Sequence, residues 1–533
     1  MSHLVIAPIL LPLLAGIVHL FGRHLAYPWR RGFSYAVVLG QIALAWALLR
    51  AVGDGDILTY ALGNWPAPFG IVLVADRLSA WMLLATAVLA LFPLIYASRE
   101  KRGAPSLSPE AVLRPPSGSP AAVDTSGRHF HILYQLQLMG LNGAFLTGDL
   151  FNLFVFFEVL LLASYGLILH GGNSNHDQPG GRLKTRAGLH YVVLNLCGSA
   201  LFLIAVGTLY GLFGTLNMAD LARNMASVPP ENLGPARAAG LLLFTVFALK
   251  AALLPLYLWL PAAYAQTSAP VAALFVIMTK VGAYSLLRVG TLIFGAQAGD
   301  MRQLYEPWLL PLALATLLIG LLGALAARGL REQVAYLVVA SVGTLLTAFA
   351  LGNVAGIAAG LYYLPHSVFT GAALFLLADR IACGRSRFGD RFEPAPAMSG
   401  APLLGGLFFL AAMLAAGLPP LSGFVGKFLL LRASLEHPAW TWIMPLVLAG
   451  GLLGLIALAR SGSLLFFRTP PAEEGAPAPT PFDAGALLPV FGLLALSIGL
   501  TLVAGPLHTY ASATAEQLLQ PDQYIHAVLG GRP

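Results

Sequence analysis

The sequence predicts an all-α, polytopic membrane protein of about fourteen transmembrane helices, containing two inverted five-helix repeats that each carry a broken helix. Three observations predict it. Of 533 residues, 58% are hydrophobic and only 10% charged, with 30 Lys and Arg against 23 Asp and Glu. A soluble fold of this length cannot cover its surface with so few charges. The apolar residues also fall in runs of roughly 17–25, the length that crosses the hydrocarbon core of a bilayer. Finally, 57 glycines and 37 prolines lie largely within apolar segments and follow no collagen-like period, a usage that membrane helices tolerate. A soluble enzyme, a disordered chain and a fibrous chain are excluded.

Runs 4–21, 33–50 and 78–97 come first. The first has no positive n-region and no clear cleavage site, so it reads as a retained helix and not as a removed signal. A polar insertion at about 98–130, with Pro, Ser and Gly and no periodicity, reads as a flexible loop. The next runs are 131–147, 150–170, 188–212, 239–264 and 269–294, followed by 307–327, 333–351, 355–378, 402–431 and 441–466. A Pro/Ala-rich linker, 469–482, leads to a last run at 484–505. A repeat is visible in LLLASYG (160–166) against LVVASVG (337–343), and in GSALFLIA (198–205) against GAALFLLA (371–378). A proline-interrupted run follows each pair in the same order. The chain thus divides into N-terminal helices and a loop (1–130), a first repeat (131–294), a second (295–467), and a linker, last helix and tail (468–533). An odd number of spans per unit inverts the second copy relative to the first.

Basic residues sort by loop. Nineteen fall in one alternate set of connections, among them Arg30, Arg99, Arg331, Arg380 and Arg460, and eight in the other, among them Arg50, Arg77, Arg223 and Arg288. The positive-inside rule places the richer set in the cytoplasm and both termini outside, in a multi-pass cell (inner) membrane protein. The net charge of +7 is scattered and not clustered with aromatics, so nucleic acid is not a partner. Cys197 and Cys383 offer no disulfide framework and no metal-ligand spacing.

Three basic residues fit neither set: Lys250 in FALKAALLP, Lys280 in VIMTKVGAY and Lys427 in GFVGKFLLL. Glu158 in FVFFEVLLL and His366 in YYLPHSVFT also lie deep within spans. A charge at a helix centre costs roughly 2.5–3.5 kcal/mol in lipid, so these groups must face protein or water. One such residue alone is as readily a helix-pinning polar group. Five on separate spans are better explained by proton transfer, because burial penalises the charged forms and brings proton gain and loss within reach of neutrality. Pro255 follows Lys250, and Pro419 and Pro420 precede Lys427. Proline removes a backbone donor and leaves carbonyls that an ion, water or lysine can use. Broken helices with buried charge in two halves of a chain point to an inverted-repeat transporter. Asp149 in LTGDLFN reads as a helix cap or part of an external mouth, and His19 and His190 read as interfacial or hydrogen-bonded residues.

GAFLTGDLFNLFVFFEVLLLASYGLILHGG (143–172), FALKAALLPLYLWLPAAYAQTSAPVAALFVIMTKVGAY (247–284) and GLPPLSGFVGKFLL (417–430) resemble the large antiporter-like subunits of membrane ion pumps. The likeness is strongest to the D-type subunits of Mrp-type multisubunit Na+/H+ antiporters, and it covers about 4–505. It implies that Glu158 and Lys250 form the coupling ion pair, that Lys280 is central to the proton path, and that His366 and Lys427 continue it. It further implies partner subunits in a hetero-oligomer, transport of protons and Na+, and no cofactor in this chain. The insertion at 98–130 is longer than the family leads one to expect. The alternatives are a redox-coupled proton-pumping subunit of a complex I or hydrogenase-like assembly, and a scaffold that transports nothing.

Overall fold

The computed structural model describes residues 3–22, 26–99, 126–169, 179–471 and 483–530. The first helices are α1 (His3–Phe21) and α2 (Tyr27–Ala51), followed by an antiparallel hairpin of β1 (Leu58–Ala61) and β2 (Val72–Ala75). Next come α3 (Arg77–Arg99), α4 (Ser126–Leu146), α5 (Leu150–Leu169), α6 (Pro179–Phe213), α7 (Met218–Met225), α8 (Pro230–Ala251), α9 (Trp259–Gln266), α10 (Ala269–Phe275) and α11 (Met278–Leu292). The second half contains α12 (Glu306–Ala326), α13 (Leu330–Phe349), α14 (Val354–Gly384), α15 (Ala401–Ala416), α16 (Ser422–Ser434) and α17 (Trp440–Gly462). The chain closes with α18 (Leu488–Leu502), α19 (Ala504–Leu518) and α20 (Pro521–Leu529).

Among the described residues, twelve helices are long and apolar enough to cross a bilayer. The expected count of about fourteen is not confirmed by these helices. The two other runs are α4, which is rich in polar residues, and the stretch 402–431, which is split into α15 and α16. The span read as 239–264 is likewise two pieces, α8 and α9. The hairpin, α7, α19 and α20 are not announced by apolar runs. The heart of the insertion at 98–130, most of the linker at 469–482, and Arg23 lie outside the described residues.

Packing follows the internal repeat. Helix α4 lies on α5 as α12 lies on α13, and α6 packs on both α8 and α9 as α14 packs on both α15 and α16. The connections segregate to two faces. On one, His3 sits against Tyr60 of the hairpin (5.7 Å between ring centres), Leu73 bridges to Thr147 and Asp149 to Asn217, and α20 packs on α7. Both ends of the described chain are therefore on this hairpin face. On the opposite face Asp379 pairs with Arg331 and Arg380 and accepts a hydrogen bond from Tyr96, while Arg99 donates to the carbonyl of Gly485 (2.6 Å) and Arg460 to that of Leu325 (2.9 Å). These arginines belong to the richer loop set.

Arg288 corrects the charge sorting. It is 4% exposed within α11, not in a loop, and its guanidinium grips Asp76 with both nitrogens at 2.6 and 2.7 Å. Asp76 also accepts the backbone N–H of Ser79 (2.9 Å) as the N-cap of α3. Burial opposes ionisation of Asp76, but the Arg288 guanidinium outweighs it and holds the carboxyl below its ordinary range.

Candidate proton path

The breaks after α8 and α15 follow from their sequence. Proline cannot donate at position 255, and α8 ends at Ala252 in the left-handed region (φ 59°). The freed groups find side-chain partners: Trp259 Nε1 donates to the Leu249 carbonyl (3.0 Å), and the Leu254 N–H donates to Thr316 Oγ1 (2.8 Å). Helix α11 closes on this break so tightly that a Cβ at Gly282 would lie 2.3 Å from the Ala251 nitrogen. In the second half, α15 ends at Gly417 (φ 80°), and Lys427, back from α16, donates to the carbonyl of Ala416 (2.7 Å). The lysine thus takes up a carbonyl released where the helix stops.

The five residues singled out from the sequence lie on five different helices, each beside hydrogen-bonding side chains or a small cavity. Glu158 on α5 is half-buried and accepts a hydrogen bond from Ser199 of α6. Lys250 is 8% exposed, donates to Asn195 Oδ1 of α6 (3.2 Å) and lies 5.8 Å from the centre of the Phe157 ring. Ser199 Oγ also lies 3.1 Å from the Asn195 carbonyl, so its single hydroxyl proton is shared between that oxygen and Glu158. Glu158 and Lys250 make no ion pair with each other; among the described residues the salt bridges are those of Asp76, Asp220 and Asp379. The direct salt bridge inferred from sequence is replaced by two polar residues one turn apart on α6, each engaging one member of the pair.

A small cavity of about 10 Å³ beside Lys250 and Asn195 reaches Met278 and Val281 of α11. Between those two lies Lys280, fully buried, with its ammonium donating to Ser341 Oγ of α13 (3.1 Å). The chain just before it departs from α geometry: the Lys280 N–H donates to the Ile277 carbonyl three residues back (2.9 Å), a tightening that often marks a hinge. Ser341 also lines a second cavity of about 50 Å³, together with Thr344, His366, Thr370 and Lys427. That volume and its polar rim suit water. His366, 2% exposed, shares Nδ1 with Ser422 Oγ (2.9 Å), and its ring packs against Gly423, where a Cβ would come within 2.8 Å of Nε2.

Sequence reasoning missed Asn195, Ser199, Ser341 and Ser422, because a lone uncharged polar residue in an apolar helix carries no spacing signal. Asp149 is a cap, accepting the Asn152 N–H (2.9 Å), and burial raises its pKa. His190 is exposed. Among the described residues no cluster of His, Cys, Asp or Glu could hold a metal ion.

A polytopic bundle with two interrupted helices and an interior line of amine, imidazole and carboxyl groups defines an ion-translocating membrane subunit. The chain belongs to the family described as NADH:quinone oxidoreductase/Mrp antiporter, transmembrane, whose model matches residues 147–454. It is 40% identical to a protein of Rhizobium meliloti named as the probable D subunit of a K(+)/H(+) antiporter, covering 99% of this chain and 98% of that one. It is 36% identical to the D subunit of the Na(+)/H(+) antiporter of Bacillus subtilis, covering 99% and 100%. In structure it matches a chain of the Mrp complex from Dietzia sp. with a TM-score of 0.81 and 28% identity, covering 99% of each chain.

Proposed function

We propose that this chain is the proton-translocating subunit of a multisubunit monovalent cation/H+ antiporter, acting as a transporter and not as an enzyme. The observation that carries the reading is the route itself: Glu158, Lys250, Lys280, His366 and Lys427, on five different helices, joined by hydrogen-bonding side chains and two small cavities. Full-length likeness to the D subunits of named cation/proton antiporters supports it. Those names divide between K+ and Na+, so the exchanged cation is tested with both.

Glu158 and Lys250 are the switch. In the arrangement described, Ser199 holds the carboxylate and Asn195 the ammonium. Rotation of Glu158 toward Lys250 stabilises the cation there, and return to Ser199 leaves that charge to bear on Lys280, favouring proton release toward Ser341 and the water cavity. His366 and Lys427 receive the proton on the far side. The repeat units 131–294 and 295–467 each contribute one broken helix to this route. The arginine-rich face is placed in the cytoplasm of the cell membrane, which puts both termini outside.

The test is cation-driven proton flux in everted vesicles containing the whole complex. Glu158→Gln and Lys250→Ala lower flux by at least about tenfold, roughly 1.4 kcal/mol in barrier, with complex assembly unchanged. Ordinary flux in properly assembled Glu158→Gln and Lys250→Ala complexes would sink the proposal. A pure scaffold predicts the opposite pattern, with less complex and normal flux per complex.

A further inference from the structure

A second set of buried polar groups lies away from this route, where α1, α2 and α4 pack together. Near the arginine-rich face, Ser34 Oγ sits between His19 Nε2 (2.8 Å) and His131 Nδ1 (2.9 Å), and the two imidazoles stack with centres 5.4 Å apart. All three side chains are at most 2% exposed. Among the described residues, Tyr27 (5.9 Å from the His131 ring) and Arg30 of α2 are titratable groups that face this cluster.

Toward the hairpin face the same three helices meet again at a polar level. Pro12 has no N–H, so the carbonyl of Pro8, one turn back, is free of its helical partner. Gln41 Nε2 (3.0 Å) and Asn142 Nδ2 (2.8 Å) both donate to it, and Asn142 also donates to Gln41 Oε1 (3.1 Å).

Between these levels stands Gln135, one turn beyond His131 on α4, beside Gly16 of α1, whose Cβ would lie 3.9 Å from the Gln135 Cβ. Gln135 is 0% exposed, and neither its amide nitrogen nor its amide oxygen has a partner. Gln137 is equally buried and equally unpartnered. It lies toward α5, since Gly140, three residues on, meets Leu160, and Leu133, one turn back, meets Gly166. Leu160 lines the cavity beside Lys250. Two fully buried amides with every polar atom unused are not tolerable in a dry interior. Each lacks both a donor's and an acceptor's partner. Water satisfies both at once; a metal cation would satisfy only the oxygens.

We propose that α1, α2 and α4 enclose water bound by Gln135, next to protons exchanged at His19–Ser34–His131, and that water at Gln137, on the α5 side of α4, continues this side branch from the arginine-rich face to the main route. The relay is balanced. One imidazole N–H donates to Ser34 Oγ while the Ser34 hydroxyl donates to the other ring. Passing a proton reverses both bonds and returns the hydroxyl unchanged. The role as a branch rests on the proton-translocating reading above, whereas the presence of water does not.

Two measurements on the intact complex test it. An experimental map that resolves ordered water is expected to show water bonded to the Gln135 amide, and a dry amide would overturn the proposal whatever the transport activity. In vesicles, Gln135→Leu, which fills the space with apolar atoms, is expected to lower proton flux per assembled complex by about tenfold, equivalent to about 1.4 kcal/mol. Gln135→Ser, which leaves room for water, keeps most of the flux. A merely structural glutamine predicts that the leucine variant assembles as well or better and transports normally. Normal flux in that variant overturns the branch even if water is present. Lys250→Ala, measured in parallel, reports on the main route by itself, so failure of one proposal is separable from failure of the other.

Discussion

At the scale of single residues, cost decides what is visible. The three interior lysines and Glu158 are legible because a charge in an apolar run is expensive and therefore rare. Arg288 is equally charged but sorts with the topology-setting residues, because it lies toward the end of its span; only its partner Asp76, distant in sequence, reveals its burial. Removing one member of such a pair strands the other. Arg288→Met is accordingly expected to destabilise the protein by about 3–5 kcal/mol, seen as lost assembly or a lowered melting temperature, whereas Asp76→Leu combined with Arg288→Met recovers much of it. Because Arg288 depresses the Asp76 pKa, the pair's contribution is complete above the unfolded value of about 4 and fades only as pH falls below it. A stability profile that changes between pH 6 and 8 on Asp76→Asn would contradict that assignment. Asn195 and Ser199, which hold Lys250 and Glu158 apart, are not legible at all. Asn195→Leu removes the ammonium's partner and is expected to cut flux while leaving assembled complex in place.

At the scale of elements, proline and glycine write the breaks. Pro255 and the Pro419–Pro420 pair place both discontinuities within a few residues of where the helices stop. The irregularity between α10 and α11, immediately before Lys280, has no such mark, and its sequence reads as one continuous helix. Helices α19 and α20 escape a search for apolar runs because of their polar content. Gly417 offers a test of the second break. Its left-handed backbone costs a residue with a side chain about 1–2 kcal/mol, and a Cβ there would lie 2.9 Å from the Lys427 Cδ. Gly417→Ala is expected to push Lys427 off the Ala416 carbonyl and lower flux more than it lowers assembly. Equal losses of both would mean that the break is structural only.

At the scale of the molecule, composition settles the membrane, and the alternation of arginine-rich and arginine-poor connections agrees with the two faces the helices build. The orientation of those faces is testable with Ser2→Cys and Gly531→Cys, made singly in a background lacking Cys197 and Cys383. Both should react with an impermeant thiol reagent from outside intact cells, and reaction only in everted vesicles would invert the topology. The proteins that co-purify decide between antiport and redox-driven pumping: small membrane subunits fit the first, iron–sulfur and quinone-site subunits the second. The claim on which the account depends most is that protons pass Lys280, the fully buried amine between the two cavities. The most direct measurement is proton flux per assembled complex for Lys280→Met, driven by Na+ and by K+ in everted vesicles. The account predicts flux reduced to the level of vesicles without the complex; flux equal to that of the unaltered protein would contradict it.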